Sequence, residues 1–371
     1  MTISENNSIK LQLPVQESSE TTKLLPRSNQ DVNLVEPSKK CQLQKLLIIL
    51  LLIFTGMGLV AYISHNTTKL TVLNFNVWGM PGEIDGCKYK PERMEALADL
   101  IKSRTPYFDL FLLTELWMQA DHQLLEDAAN SVGLHMTGFR QLSSGTCDGL
   151  VLTTECSGLA IISTYPLKEV EFHQFTLKGK IWDGEALQGK GVGRVRIELA
   201  RPNATVDVFV THTIADGKKM ANETWYRVKQ VEELVDRFLK KSTADVIILG
   251  GDFNTPPILK PGEPYNMIHQ FMNNACEAFT GSRFHPFREC LAPNFATYGN
   301  QRNSFSYMYD PLIQDYIFYK RIHSGISTFA FGFELPSFQT NIIQNQKEVS
   351  ITLSDHEPLI STIYLPNWWP F

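Results

Sequence analysis

Acidic, amide and imidazole side chains recur in this chain at the ends of short apolar runs. Such runs end in, or next to, Asn76, Glu115, His212, Asp252 and Asn254. Near the C-terminus, Asp355 and His356 follow each other in the segment LSDHEPL. Hydrolysis of a phosphate ester requires a hard cation, a base that activates water, and donors directed at the equatorial oxygens. These side chains have the chemistry for all three roles if the fold brings them together.

Glu115, in the segment LLTELW, is the candidate for the principal metal ligand. Magnesium prefers oxygen ligands and takes only one or two carboxylates from a protein, keeping several waters. Glu115 together with the amide of Asn76 has this composition. A solvated surface carboxylate is the alternative for Glu115, but its position at the end of an apolar run favours the metal role.

Asp252 and Asn254 lie in the segment ILGGDFNTPP, which is more specific than any single residue in it. Both follow a run that predicts a buried strand. The paired glycines before Asp252 allow the backbone to turn tightly, so that both side chains can face one opening.

Six apolar runs predict strands that are buried on at least one face. They are LTVLNFNVW (70–78), DLFLLTELW (109–117), GLAIIST (158–164), VDVFVTHT (206–213), ADVIILGGDFN (244–254) and QDYIFYK (314–320). Apolar residues at three- and four-residue spacing predict helices over Pro91–Ser103 and Tyr226–Lys241. Because the apolar part of each strand belongs in a core, the polar strand ends emerge at a rim. We therefore expect one α/β domain over residues 70–366, with a single site where the rims coincide.

The motifs NFNVWG, TELW, THT, GGDFN and SDH, in this order, resemble those of the metal-dependent endonuclease/exonuclease/phosphatase superfamily. Within it, VLNFNVWGMPG, ERMEALADLI, GKGVGRV and DYIFYK are most similar to the neutral sphingomyelinase branch. The resemblance implies a four-layer α/β/β/α sandwich of two packed β-sheets flanked by helices. It also implies a magnesium cofactor, with manganese as an alternative ion, and cleavage of sphingomyelin on the acyl-alcohol side of the phosphate.

The resemblance assigns the acid–base and metal roles residue by residue. His356 matches the general base that takes a proton from water, and Asp355 matches the residue that orients its imidazole. An unperturbed imidazole titrates near pH 6.5, which suits this role. Glu115 matches the main metal ligand, and Asn76 assists it. The alternative for Asp355 and His356 is a polar turn before a final strand.

The resemblance also assigns residues that contact the phosphate. His212 matches a donor to the phosphoryl oxygens, and Asp252 with Asn254 matches the pair that stabilises the transition state and the nucleophilic water. Lys190, in QGKGVG, matches a lysine that approaches the substrate phosphate; a solvated turn is the alternative. Asp315 matches an aspartate that holds the SDH loop or His212 in place.

The loop before Lys190 departs from the family pattern. Relatives often carry an aspartate five residues before this lysine, whereas here that position is Glu185 and the nearest aspartate is Asp183. This difference argues against a regulatory pair between the lysine and an acidic residue.

Two alternatives to a sphingomyelinase are open at this stage. One keeps the chemistry but changes the substrate, giving a nuclease or a phosphatase of nucleotides or inositol phosphates. The formal net charge of -5 argues against a nucleic-acid partner. The other is a catalytically inactive binding protein, which the complete set of acid, base and ligand residues disfavours.

The N-terminal part of the chain predicts a membrane anchor. Residues 1–45 are polar and predict a disordered cytosolic tail. Residues 46–64 predict a transmembrane helix, since LLIILLLIFTGMGLVAYI carries no charge and as a helix would span about 27 Å. A cleaved signal peptide and a buried core helix are the alternatives. Basic residues precede the span, and Lys69 is the first base after it, so we expect a type II orientation with a lumenal or extracellular catalytic domain.

Several short patterns agree with that orientation. Sequons begin at Asn66, Asn203 and Asn222 and predict a glycoprotein. An oxidising compartment favours the local disulfides Cys147–Cys156 and Cys276–Cys290, with Cys87 left over and unpaired thiols as the alternative. ETTKLL (20–25) resembles a dileucine signal for endosomes and lysosomes; the plasma membrane is the other destination. The aromatic end NWWPF (367–371) could lie at the level of the lipid headgroups, which would fit a membrane lipid as substrate. Packing against the catalytic domain is the alternative.

Overall fold

The computed structural model describes residues 48–49, 51–54, 67–81, 86–144, 147, 156–179, 185–200, 203–215, 223–280, 296–322, 329–334 and 338–366. The chain divides into two units, Met1–Met57 and Gly58–Phe371. In the first unit, the described residues are helical and their side chains are exposed. Among the described residues, no helix has both the length and the apolar character needed to cross a bilayer. The predicted tail, most of the predicted span 46–64 and the aromatic end lie outside the described residues.

The second unit is built from fourteen strands and five α-helices within the described residues. The strands are β1 (Thr67–Asn76), β2 (Leu110–Thr114), β3 (His135–Met136), β4 (Ala160–Ser163), β5 (Lys168–Gln174), β6 (Gly191–Leu199), β7 (Ala204–His212), β8 (Val246–Asp252), β9 (Asn273–Asn274), β10 (Asp315–Arg321), β11 (Phe329–Glu334), β12 (Gln339–Gln344), β13 (Lys347–Thr352) and β14 (Leu359–Pro366). The helices are α1 (Lys90–Ser103), α2 (Gln119–Ser131), α3 (Glu223–Arg237), α4 (Pro264–His269) and α5 (Ala275–Thr280).

The strands form two six-stranded mixed sheets and a separate hairpin. The first sheet has the order β11-β14-β1-β2-β4-β3 and the second the order β5-β6-β7-β8-β10-β9, while β12 pairs with β13. Residues such as Val72 and Leu112 of the first sheet pack against Val208 and Ile248 of the second, and all four are fully buried. Each such side chain contributes about 1.5–3 kcal/mol through burial.

Helices cover the outer face of each sheet. Apolar residues of α1 and α2, including Leu97 and Leu125, pack against Phe75 of β1. On the second sheet, Leu234 of α3 packs against Phe209 of β7. The apolar spacing of three and four residues places these side chains on one helical face. The predicted sandwich of two packed sheets with flanking helices is therefore confirmed.

Strand direction brings the polar strand ends to one edge of the sandwich. β1 runs parallel to β2, with Asn76 opposite Thr114, and β7 runs parallel to β8, with His212 opposite Asp252. β10 is antiparallel to β8, so its first residue, Asp315, lies opposite Asp252. In the same way β14 is antiparallel to β1, which puts the preceding His356 at this edge. The rims predicted from sequence coincide.

The cysteines agree with the predicted local pairing as far as they are described. Cys147 and Cys156 form a disulfide, and Cys276 is also disulfide-bonded. Cys290 lies outside the described residues. Cys87 is free and buried, as expected for the cysteine that is left over.

Candidate active site

The amide of Asn76 connects the two sheets at the centre of the site. Its Nδ2 donates hydrogen bonds of 3.0 Å to Glu115 Oε1 and of 3.0 Å to Asp252 Oδ2. Its Oδ1, the atom that could bind a metal, accepts instead from the backbone N–H of Trp78 at 3.0 Å. In this arrangement the Nδ2 of Asn76 brings the two carboxylates together, and its role as a metal ligand stays a prediction.

Glu115, His212 and Asp252 form a group that could hold a cation. One ligand atom from each lies within 4.8 Å of the others. His212 Nε2 is 3.9 Å from Glu115 Oε1 and 3.6 Å from Asp252 Oδ2. Burial raises the pKa of Glu115 and raises that of Asp252 to about 6, to which the neighbouring Asp315 adds. Two converging carboxylates with raised pKa values are a fitting environment for a hard divalent cation, which would neutralise them.

His356 lies at the same edge, with its ring held by an aspartate of β10. Asp315 Oδ2 is 2.7 Å from His356 Nδ1, and the other ring nitrogen, Nε2, is 3.9 Å from Asp252 Oδ2. Burial alone would lower the pKa of His356, but Asp315 and Asp355 raise it well above its usual value. Asp252, Asp315 and His356 form a second group that could hold a cation, and it overlaps the first at Asp252.

Asp355 was predicted to orient His356, but the carboxylate in contact with the imidazole is that of Asp315. Asp355 lines the cavity beside His356. The Asp355 carboxylate accepts a hydrogen bond of 3.3 Å from Ser354 Oγ. Burial, reinforced by Glu115, raises the pKa of Asp355 to about 6. Asp315 was expected to support the loop, and it holds the imidazole directly.

Lys190 reaches the site from the start of β6 and is almost fully buried. Its Nζ lies 3.2 Å from His212 Nε2 and donates to the carbonyl of Thr213 at 3.1 Å. It also forms an ion pair of 2.9 Å with Glu185 Oε2. Glu185, at the position where relatives often carry an aspartate, therefore makes an acidic contact with Lys190, since glutamate is one methylene longer than aspartate; whether this pair is regulatory stays untested. Asp183 lies outside the described residues.

The surroundings of His212 favour its neutral form. Burial lowers its pKa well below the usual value, and the charges of Lys190 and His356 lower it further. Its Nδ1 is buried and has no hydrogen-bond partner within the described part of the chain.

The turn after β8 places Asn254. A Cβ atom at Gly251 would overlap the carbonyl oxygen of Thr211, so this close strand approach requires glycine. The backbone N–H of Asn254 donates to Asp252 Oδ1 at 2.8 Å, and its side-chain Nδ2 donates to Thr213 O at 3.1 Å. Asn254 therefore fixes both Asp252 and the loop that follows His212.

A cavity of about 1020 Å³ opens onto these groups. Glu115, Lys190, Asp252, Asn254 and His356 line it. Its wall also contains residues that sequence reasoning did not identify: Trp78, Glu185, Tyr298, Met308, Tyr309 and Asp310. Most of them come from loops without a periodic pattern or a charged motif, so no sequence signal singles them out.

The chain is similar in sequence and in fold to several known proteins. Human sphingomyelin phosphodiesterase 2 is 27% identical over 309 residues, a region that covers 80% of this chain and 65% of the human protein, so the chain spans somewhat less than two thirds of that relative. A mutant beta toxin from Staphylococcus aureus with bound magnesium ions superposes with a TM-score of 0.58 at 20% identity, covering 79% of this chain and 99% of the toxin.

D. rerio TDP2 in complex with a single-strand DNA product gives a TM-score of 0.55 at 16% identity, over 80% of this chain and 99% of that one. At these identities the two crystal structures show a shared fold. The family model described as Endonuclease/Exonuclease/phosphatase matches residues 73–356, from the middle of β1 to the histidine at the edge of the cavity. The chain belongs to the endonuclease/exonuclease/phosphatase family.

Proposed function

We propose that this protein is a phospholipase C-type phosphodiesterase that hydrolyses sphingomyelin, or a related choline phospholipid or lysolipid. The products from sphingomyelin are ceramide and phosphocholine. The observation that carries the proposal is the convergence of Glu115, Asp252 and the His356–Asp315 pair at one edge of two sheets. Similarity to human sphingomyelin phosphodiesterase 2 supports the substrate class.

His356 is the proposed general base. Because Nδ1 faces the Asp315 carboxylate, the ring keeps its proton on Nδ1 and presents Nε2 toward the cavity. A water gives one proton to Nε2 and its oxygen attacks the phosphorus, while the bond to the lipid alcohol oxygen breaks and the departing alkoxide takes up a proton from solvent. This step needs the neutral imidazole, so the aspartate fixes the tautomer as well as the ring position.

Glu115 and Asp252 are the proposed holders of Mg²⁺, with Asn76 keeping their carboxylates together. Bound there, the ion would offset the carboxylate charges, bring the pKa of His356 back toward its usual range, and stabilise charge on the phosphoryl and leaving oxygens. Manganese fits the same oxygen ligands.

Lys190 and His212 are the proposed phosphate-binding groups. Lys190 is cationic and almost fully buried, in a cavity wall where a charge–charge contact is little screened by water. Its position 3.2 Å from His212 Nε2 brings both groups to the same phosphoryl oxygens. Asn254 supports this region through its bond to the Thr213 carbonyl.

We further propose that residues 46–64 anchor the protein in a type II orientation, in an endolysosomal membrane or the plasma membrane. Of the three predicted sequon asparagines, Asn203 lies among the described residues, where it is exposed and precedes β7. A glycosidase-sensitive mass shift that becomes smaller in Asn203→Gln would support a lumenal or extracellular catalytic domain. Absence of any sugar on the protein from its native membrane would contradict it.

A substrate panel tests the proposed activity. The purified protein is assayed with sphingomyelin, lysophosphatidylcholine and single-stranded DNA, each with Mg²⁺ and with chelator, at acid and neutral pH. We expect magnesium-dependent release of phosphocholine, absent in His356→Ala. DNA cleavage without lipid turnover would overturn the proposal in favour of a nuclease.

A further inference from the structure

One wall of the cavity consists of Tyr298, Tyr309 and Asp355, which the proposed reaction does not use. The two tyrosine rings stack with centroids 5.3 Å apart and an interplanar angle of 27°. The Tyr298 ring also lies 5.1 Å from the His356 imidazole, measured between centroids. The wall is therefore adjacent to the proposed base, within reach of whatever group is attached to the reacting phosphate.

Hydrogen bonds hold this wall in place. Tyr298 and Leu312 exchange backbone hydrogen bonds of 3.1 and 2.9 Å, which fix the two ends of the loop that carries Tyr309. Ser306 Oγ donates to the carbonyl of Asp355 at 2.6 Å and accepts from the N–H of Gly299 at 3.2 Å. The loop, Tyr298 and Asp355 thus form one connected unit.

Gly299 allows the loop to lie this close. Its φ is +70°, and a Cβ atom there would overlap the carbonyl oxygen of Asp310. A side chain at this position would push the segment that carries Tyr309 and Asp310 away from Tyr298. The aromatic pair is therefore set by the backbone and does not depend on a substrate to assemble it.

The wall carries negative charge as well as aromatic faces. Within the described residues, no lysine or arginine nitrogen lies within ion-pair distance of the Asp355 carboxylate, whose hydrogen-bond donor is Ser354 Oγ. Asp310, which is exposed, adds a second carboxylate to the cavity lining. Tyr309 keeps 44% of its side chain accessible, so its ring is available to a ligand in the cavity.

A quaternary ammonium group suits these surroundings. It has no N–H to donate, so a protein recognises it through aromatic faces and nearby negative charge. A bulky cation would be attracted by the aromatic faces of both tyrosines and by the carboxylates of Asp355 and Asp310.

We propose that Tyr298, Tyr309 and Asp355 form a subsite for the quaternary ammonium of a choline headgroup. This inference rests on the proposed phosphodiesterase function and specifies which part of the cavity selects the headgroup. It also gives Asp355 a positioning role toward the substrate in place of the predicted role toward His356.

Soluble esters test the subsite without a membrane. The specificity constant kcat/KM is measured for p-nitrophenyl phosphocholine and for p-nitrophenyl 3,3-dimethylbutyl phosphate, in which a carbon replaces the charged nitrogen. The ratio of the two constants cancels effects on the chemical step that the substrates share. We expect the unmodified protein to prefer the choline ester, and Tyr309→Leu to reduce that preference about tenfold.

Three further variants make the test specific. Tyr309→Phe keeps an aromatic face and retains the preference within about twofold. Asp355→Asn removes the negative charge and reduces the preference for the choline ester, even if it also changes kcat/KM for both esters. Tyr307→Leu is the matched control, because this tyrosine is in the same loop and 55% exposed but does not line the cavity; its preference stays unchanged.

Two outcomes would overturn the subsite: no choline preference in the unmodified protein, or equal preference in Tyr309→Leu and Tyr307→Leu. If neither ester is hydrolysed, the proposed activity fails and calorimetry decides on the subsite separately. The subsite is supported if the protein binds phosphocholine more tightly than 3,3-dimethylbutyl phosphate and if Tyr309→Leu removes this difference in affinity. Equal binding of the two compounds contradicts it.

Discussion

Asp315 Oδ2 lies 2.7 Å from His356 Nδ1, although 41 positions separate the two residues in sequence. The contact joins the first residue of β10 in one sheet to the residue that leads into β14 in the other. The orientation of the proposed base therefore depends on how the two sheets pack, and not on the aspartate that precedes the histidine.

Replacing Asp315 tests this relationship. We expect Asp315→Asn to lower kcat about 10²-fold, because an amide in place of the carboxylate no longer fixes the Nδ1-protonated tautomer. Asp355→Asn should reduce kcat by a much smaller factor on a substrate without choline. Steady-state rates on p-nitrophenyl 3,3-dimethylbutyl phosphate give both values. An equal or larger loss in Asp355→Asn would restore the adjacent aspartate to the orienting role.

The Lys190–Glu185 pair offers a test of phosphate binding. Lys190→Met combined with Glu185→Gln removes the ion pair as a whole, so that no buried charge is left uncompensated. We expect this double variant to lower kcat/KM by about 10²-fold while it unfolds at a similar denaturant concentration. Lys168→Met, at a lysine that is half exposed on β5, is the control and should change little. Unchanged turnover in the double variant would place the phosphate elsewhere.

Arg93 of α1 is a fully buried guanidinium that connects two segments of the site. It donates to the carbonyls of Val77 and Leu353 at 3.0 and 2.9 Å. Arg93→Met leaves these carbonyls unsatisfied, and we expect it to lower the free energy of unfolding by about 3–5 kcal/mol. Arg237 is the control, because its side chain is exposed where it pairs with Glu233. Arg237→Met should cost no more than about 1 kcal/mol. If Arg93→Met and Arg237→Met lower the free energy of unfolding by similar amounts in denaturant, Arg93 does not link the two segments.

We expect Asp207 of β7 to make a contribution to stability that depends on pH. Burial would raise its pKa, but hydrogen bonds from Arg196 and Ser242 lower it below the usual value. A carboxylate whose folded pKa lies below its unfolded pKa stabilises the fold above the unfolded value, and this contribution disappears as pH falls through the folded pKa. Asp207→Asn should therefore be clearly less stable than the unmodified protein at pH 7, and this difference should become smaller at pH 3. A difference in unfolding free energy that does not change between these pH values would contradict this account.

The sequence predicts which strands carry the site residues, because polar residues mark the ends of the apolar runs. Asn76, His212 and Asp252 each close an apolar run, and parallel pairing then brings them to one edge. The helices were predicted from apolar spacing, with α1 observed at Lys90–Ser103 and α3 at Glu223–Arg237, followed by a 3-10 turn. Such features depend on local pattern, which a single sequence carries.

Contacts between loops that are distant in sequence cannot be predicted from local sequence patterns. Asp315 was expected to hold the SDH loop or His212 in place, but its direct contact with the His356 ring was not predicted. The contacts of Glu185 with Lys190 and of Tyr298 with Tyr309 were not predicted either. The hairpin β12–β13 was also missed, since its exposed face breaks the apolar alternation expected of a strand. Each of these depends on how the two sheets and their loops pack, which is decided over the whole domain.

The most direct test of the central claim is the rate of phosphocholine release from sphingomyelin as a function of Mg²⁺ concentration. The account predicts a saturable rise for the unmodified protein, and a shift to at least about tenfold higher Mg²⁺ for Glu115→Gln, because one of two converging carboxylates is lost. It predicts no release at any Mg²⁺ concentration for His356→Ala. A rate that is independent of Mg²⁺, or the same Mg²⁺ dependence in Glu115→Gln, would contradict the proposal that this edge of the sandwich is a cation-dependent catalytic site.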